Sequence, residues 1–185
     1  MARSRLSIPV SINIDARQLN QHDFLAKLQQ AISAYPEYQP GSLELEILET
    51  TALQDRQHAN HMIEACKQIG VEFALDDFGT GYSSLTYLRQ LPVNTVKIDR
   101  SFIQDMDINT EDLAIVESVI SLVNNIGRKV IAEGVETIAQ GEMLLNMGCE
   151  LGQGFVIAKP MPARELIAWK MHWKPVEAWV NSRKG

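Results

Sequence analysis

Six side chains able to hold a divalent cation or move a proton recur at the ends of short alternating runs: Asn13, Glu46, Asp76 with its neighbour Asp77, Lys97 and Glu133. In the first run Val10, Ile12 and Ile14 share one face and Ser11 and Asn13 the other. In the second, Leu43, Leu45 and Ile47 oppose Glu44 and Glu46. In the third, Phe73 and Leu75 oppose Glu72 and Asp76. In the fourth, Val96 and Ile98 oppose Thr95, Lys97 and Asp99, and in the fifth Val130 and Ala132 oppose Glu133. Side chains alternate across a strand, so each run sends its polar set to one face. Carboxylates and an amide form an all-oxygen donor set, which suits Mg²⁺ or Mn²⁺ better than zinc. Adjacent carboxylates such as Asp76 and Asp77 can bridge two ions, as two-metal phosphoester cleavage requires. Lys97 is suited to fixing a water or stabilising developing negative charge, and Glu133 to orienting or deprotonating that water. Taken singly, each has a plainer reading. Asp76-Asp77-Phe78-Gly79 is compatible with a simple strand exit, Lys97 with a buried stem and paired head, and Asn13 with a backbone contact. Five matching strand ends argue for a joint role.

The elements that must position these groups alternate along the chain. Strands are predicted at Pro9–Ile14, Leu43–Leu48, Val71–Asp76, Thr95–Asp99, Lys129–Glu133 and about Leu151–Phe155. Helices are predicted at Gln18–Ala34, Asp55–Ile69, Ser83–Gln90, Thr110–Ile126, Thr137–Met147 and from Ala163 onward. The clearest, Thr110–Ile126, carries an apolar stripe of Leu113, Val116, Val119, Ile120, Val123 and Ile126 and stops at Gly127. Six strand-then-helix units imply a parallel sheet with crossover helices. No strand is followed by the Gly-x-Gly-x-x-Gly of a dinucleotide fold. The expected fold is therefore α/β, a TIM-like (β/α) barrel that is incomplete, with the polar strand ends at its carboxyl mouth. The whole chain reads as one domain over residues 1–185, with residues 163–185 its C-terminal helix and tail.

Composition narrows the function classes. The chain has 185 residues, 45% hydrophobic and 22% charged, with a formal charge of −6. That balance excludes disorder and gives no basic footprint for DNA or RNA. No apolar run approaches the roughly 20 residues of a membrane helix, and the start lacks a signal-peptide core, so a cytoplasmic location is expected. An acidic chain that handles an anionic ligand needs cations between the two. Cys66 and Cys149 sit among apolar residues and read as buried thiols rather than a disulfide. His22, His58, His61 and His172 read as surface residues. Trp169, Trp173 and Trp179 read as core or interface filler.

Six stretches resemble the EAL-type cyclic di-GMP phosphodiesterases of bacterial signalling: VSINIDARQL (Val10–Leu19), LELEILET (Leu43–Thr50), DDFGTGYSSLTYLRQLP (Asp76–Pro92), VKIDRSFI (Val96–Ile103), IAEGVET (Ile131–Thr137) and GCELGQGFVIAKPMP (Gly148–Pro162). They stand in family order. The resemblance implies a TIM-like barrel that hydrolyses cyclic di-GMP to the linear dinucleotide pGpG with Mg²⁺ or Mn²⁺, as two ions. It implies Asn13, Glu46, Asp76 and Asp77 as metal ligands, Lys97 and Glu133 as catalytic groups handling the water, and Glu136 and Gln153 as substrate-binding residues. Glu49 would support the loop from Asp76 to Ser84, which in the family links the metal site to dimer contacts. A homodimer and an upstream sensory domain in a longer parent protein are further implications. The namesake Glu-Ala-Leu segment is absent from this sequence, and with it one expected metal-ligand Glu and the first strands. An incomplete barrel should leave a raw sheet edge and exposed apolar surface. Two readings follow: a phosphodiesterase module, weakened or inactive as this chain, or a non-catalytic ligand-binding or dimerisation module.

Overall fold

The computed structural model describes residues 8–50, 55–80 and 85–182. The chain divides into two compact units, Ser7–Val96 and Lys97–Gly185.

The first unit begins with β1 (Val10–Asn13), α1 (Ala16–Leu19), α2 (Phe24–Ser33) and β2 (Leu43–Leu48). It continues with α3 (Arg56–Gln68), β3 (Glu72–Phe78), α4 (Leu85–Gln90) and the start of β4 (Thr95–Ile98). β1 pairs parallel to β2, with Val10 level with Leu43 and Asn13 level with Glu46. β2 pairs parallel to β3, with Glu46 level with Ala74 and Leu48 level with Asp76. The core is aliphatic and aromatic: Ile47, Ile63, Cys66, Phe73 and Leu75 are fully buried. α3 contributes Ala59, Met62, Ile63 and Cys66 from one face, and Asp55 caps it by accepting from the His58 N–H. Gly70, at φ 81°, turns the chain into β3.

Three expectations change here. The single helix Gln18–Ala34 is two helices. Asp15 caps α1 in a capping box with Gln18, and α2 starts afresh after Asp23. The polar run Asn20-Gln21-His22-Asp23 between them favours turns, because short polar side chains compete for the backbone. β3 runs on to Phe78, beyond the expected end at Asp76. Val10 and Ile12 are 53% and 50% exposed rather than covered by helices: β1 ends the strand order, and its apolar residues form the exposed apolar surface expected at the raw edge of an incomplete barrel. Ile14 is buried as expected.

The second unit takes up β4 at Lys97 and continues through α5 (Arg100–Gln104), α6 (Thr110–Asn125), β5 (Lys129–Glu133) and α7 (Ile138–Asn146). β6 (Leu151–Gln153), α8 (Ala163–His172) and α9 (Glu177–Ser182) follow. α6 buries Val116, Ile120 and Val123, the centre of the predicted stripe, and Asn109 caps it through the Glu111 and Asp112 N–H groups. β5 pairs parallel to β6, bringing Glu133 level with Gln153. β6 stops short of the expected Phe155. Gly154 lies so close to the Val135 backbone that a Cβ there would fall 2.1 Å from the Val135 carbonyl oxygen. The chain turns at that contact, where the Val156 N–H donates to Val135 O.

Candidate active site

In the first unit, parallel pairing sets Asn13 of β1 beside Glu46 of β2, and the Ile14 N–H donates to Glu46 O at 2.9 Å. Asn13 is exposed, whereas Glu46 and Asp76 are buried. Asp76 and Asp77 each present a carboxylate oxygen, and these lie within 4.8 Å of one another, an arrangement able to hold a metal ion. Asp77 holds a positive φ of 53°, the left-handed region that Asp tolerates better than most residues. That twist lets two consecutive residues offer oxygens together, although successive strand side chains ordinarily point to opposite faces. The donor set is all oxygen, so it fits a hard divalent cation such as Mg²⁺ or Mn²⁺.

Just beyond β3, Gly79 takes φ 105°, and its N–H donates to Glu49 Oε2 at 2.9 Å. Glu49 is 1% exposed, so this carboxylate grips the exit of β3 from inside. The Thr80 hydroxyl donates to Asp77 O at 2.9 Å and tightens the same turn. Residues 81–84 of the loop from Asp76 to Ser84 lie outside the described residues.

The second unit holds the cationic group. Lys97 Nζ lies 2.6 Å from Glu133 Oε1, with their side chains 5% and 15% exposed. Adjacent strand ends thus carry a charge pair largely shielded from water, where it is screened little by salt. Gly134, at φ 72°, turns the chain sharply after Glu133; a Cβ there would fall 2.6 Å from the Arg100 Cβ. The turn leads to Glu136, whose Oε1 accepts from Gln104 Nε2 at 3.3 Å. Gln153 is level with Glu133, and its carbonyl accepts from the Val135 N–H at 3.1 Å. Glu133 and Gln153 are therefore strand neighbours. Glu136 is exposed on the following loop and bound toward α5.

Three buried polar residues with structural roles, Glu44, Thr95 and Gln140, were not singled out from the sequence. Glu44 accepts from Ser11 Oγ at 3.0 Å and from Thr95 Oγ1 at 2.6 Å. Its place on the same face as Glu46 was legible in LELEIL. Gln140, 3% exposed, accepts at Oε1 from the Glu136 and Thr137 N–H groups. The spacing of Thr137 and Gln140 is that of a capping box, a visible signal. Of the histidines, His58 is partly buried, its Nε2 3.3 Å from Leu19 O, which corrects the expectation of a surface residue. His22, His61 and His172 are exposed. Cys66 and Cys149 are free and buried, and burial pushes each thiol up to about 11.

Comparison with known proteins decides the family. The EAL domain family model matches residues 1–160. The chain belongs to the EAL domain family. Its fold class is accordingly α/β, an incomplete TIM-like (β/α) barrel. One EAL relative, the bifunctional diguanylate cyclase/cyclic di-GMP phosphodiesterase MucR of Pseudomonas aeruginosa, is 39% identical over 86% of this chain and 23% of its own length. The structure of the PaMucR phosphodiesterase in complex with c-di-GMP aligns with a TM-score of 0.81 and 39% identity, over 85% of this chain and 64% of that one. The EAL domain of Mycobacterium smegmatis DcpA aligns with a TM-score of 0.83 and 36% identity, over 91% of this chain and 75% of that one. The chain thus spans about a quarter of the MucR protein's length. No helix among the described residues is long and apolar enough to cross a membrane.

Proposed function

We propose that this EAL chain is a metal-dependent phosphodiesterase module that cleaves cyclic di-GMP to linear pGpG in the bacterial cytoplasm. The observation that carries the reading is the buried Lys97–Glu133 ion pair at 2.6 Å, in a family whose relative MucR is named a cyclic di-GMP phosphodiesterase. Asn13, Glu46, Asp76 and Asp77 are the metal ligands in this reading, holding Mg²⁺ or Mn²⁺ as two ions. When bound, such ions neutralise phosphate charge and lower the pKa of water. Glu133 accepts the proton of the attacking water. The water oxygen forms a bond to phosphorus, one ester P–O bond breaks, and the leaving sugar oxygen takes up a proton. Lys97 holds the Glu133 carboxylate in place and offers its other donors to developing negative charge. Glu136 and Gln153 bind substrate. Glu49 supports the turn that follows Asp77. The same reading carries a homodimer and an upstream sensory domain in a longer parent protein.

The test is cyclic di-GMP turnover with Mg²⁺ or Mn²⁺ by this chain and by a version extended to the length of a whole EAL domain. Turnover by the extended form supports the reading. Binding without turnover in both forms would assign the chain to contact signalling instead. Absence of both in the extended form would sink the enzyme reading.

A further inference from the structure

We infer that α9 is a latch on α7, and that Trp179 is a positioning residue for the loop bearing Glu136. The inference rests on the reading of Glu136 as a substrate-binding residue. Residues 161–185 lie beyond the segment matched by the family model, yet α9 returns to the unit and seats an indole on it. The seat is Gly141, in the middle of α7. A Cβ at that position would lie 2.5–2.6 Å from three atoms of the Trp179 ring. Alanine is the better helix former there, so the close approach of the ring is the physical reason that position suits glycine. Trp179 Nε1–H also donates to Ile138 O at 3.0 Å, fixing the indole over the first turn of α7. Indole N–H groups seek a partner when covered, and this one has it.

The first turn of α7 in turn holds the site loop. Gln140 Oε1 accepts from the Glu136 N–H at 2.9 Å and the Thr137 N–H at 3.0 Å. Gln140 Nε2 donates to Gln104 O at 3.1 Å, and Gln104 Nε2 donates to Glu136 Oε1. These bonds close a circuit through Gln140, Gln104 and Glu136 that ties both the backbone and the side chain of Glu136 to α7. The indole also lines an open pocket of about 70 Å³ together with Val135, Leu144, Cys149 and Ile157. Release of Trp179 would remove one wall of that pocket and free the turn on which Gln140 sits. A contact made by a short, partly exposed terminal helix beside an open pocket can open locally without loss of the whole unit.

The experiment is a double-mutant cycle on this chain, read by hydrogen exchange at the Glu136 and Thr137 amides and by calorimetric titration with cyclic di-GMP and Mg²⁺. Trp179→Ala is expected to speed exchange at those amides about threefold to tenfold, the range that loss of one net hydrogen bond allows. Gly141→Ala should do the same, because its methyl displaces the ring. The double variant should exceed neither single one, since both remove one contact. Unchanged exchange in Trp179→Ala, or full additivity in the double variant, would overturn the latch. Should Trp179→Ala fail to fold, Trp179→Phe and Gly141→Ala decide: no change at the two amides in either overturns it. Faster exchange with unaltered cyclic di-GMP affinity, where Glu136→Ala weakens binding, would overturn the positioning role. If Glu136→Ala leaves affinity intact, the reading of Glu136 as a substrate residue fails, while the exchange data still decide the latch.

Discussion

The two units handle buried acid differently. In Ser7–Val96, Glu44 is held by the hydroxyls of Ser11 and Thr95, and Glu49 by the Gly79 backbone N–H. In Lys97–Gly185, Glu133 is held by the Lys97 ammonium. Neutral donors stabilise a carboxylate without cancelling its charge. A direct ion pair cancels charge locally and fixes one geometry. The contrast is one of local charge: the described partners of Glu44 and Glu49 are hydroxyls and a backbone N–H, whereas Glu133 meets a full counter-charge. The carboxylates of Asp76 and Asp77 approach closely enough for a cation to be shared between them.

The comparison can be broken at four points. The largest effect is expected at Lys97. Removing one partner of a buried pair leaves an uncompensated charge, so Lys97→Met should cost about 3–5 kcal/mol of stability by urea denaturation. The double variant Lys97→Met/Glu133→Leu should recover most of that loss. Equal stability of wild type and Lys97→Met would show that the pair does not hold the second unit together.

Next comes Asp76→Asn, which removes a charge but keeps shape. Mn²⁺ affinity by calorimetry should fall by more than the about 100-fold typical of losing an outer partner of a metal ligand. Stability should hold or rise, because repulsion with Asp77 is relieved. A loss of fold with metal affinity retained would reverse the assignment of this unit. A smaller effect is expected from Thr95→Val, which deletes the hydroxyl donating to Glu44 at 2.6 Å while keeping side-chain volume. Leaving that buried acceptor short of a donor should cost about 1–3 kcal/mol in the same urea assay. No change would mean that the polar layer around Glu44 contributes nothing to the first unit.

The smallest effect lies at alkaline pH and concerns both units. Burial pushes Cys66 and Cys149 from an ordinary 9.0 up to about 11. The folded state then binds more protons than the unfolded state between about pH 9 and 11, so stability is full below pH 9 and falls as pH rises through that window. Thermal unfolding scans should show the decline, and Cys66→Ala/Cys149→Ala should flatten it. A flat wild-type profile from pH 9 to 11 would mean that these thiols titrate no differently on folding.

Strand existence was legible because alternation is local. LELEIL declares its two faces in six letters, and Glu46 was assigned with them. Where tertiary neighbours set the outcome, local reading fell short. Val10 and Ile12 have the alternation of covered residues, yet they are exposed because β1 ends the strand order; only the expectation of a raw edge, not the local pattern, pointed to that. The break between α1 and α2 was signalled by Asn20–Asp23, but a favourable helical composition masked it. Gln140 was visible as a capping residue. That its amide also reaches Gln104, 36 positions away, follows only from how α7 packs.

The sequence by itself determined the types of side chain and the strand ends on which they stand, because side-chain alternation and turn chemistry act over a few residues. Only the tertiary structure decided that Lys97 meets Glu133, that Glu49 reaches Gly79 and that Trp179 rests on Gly141. Those contacts join residues 30 to 38 positions apart, and the geometry between such positions is fixed by packing rather than by any local preference of the chain.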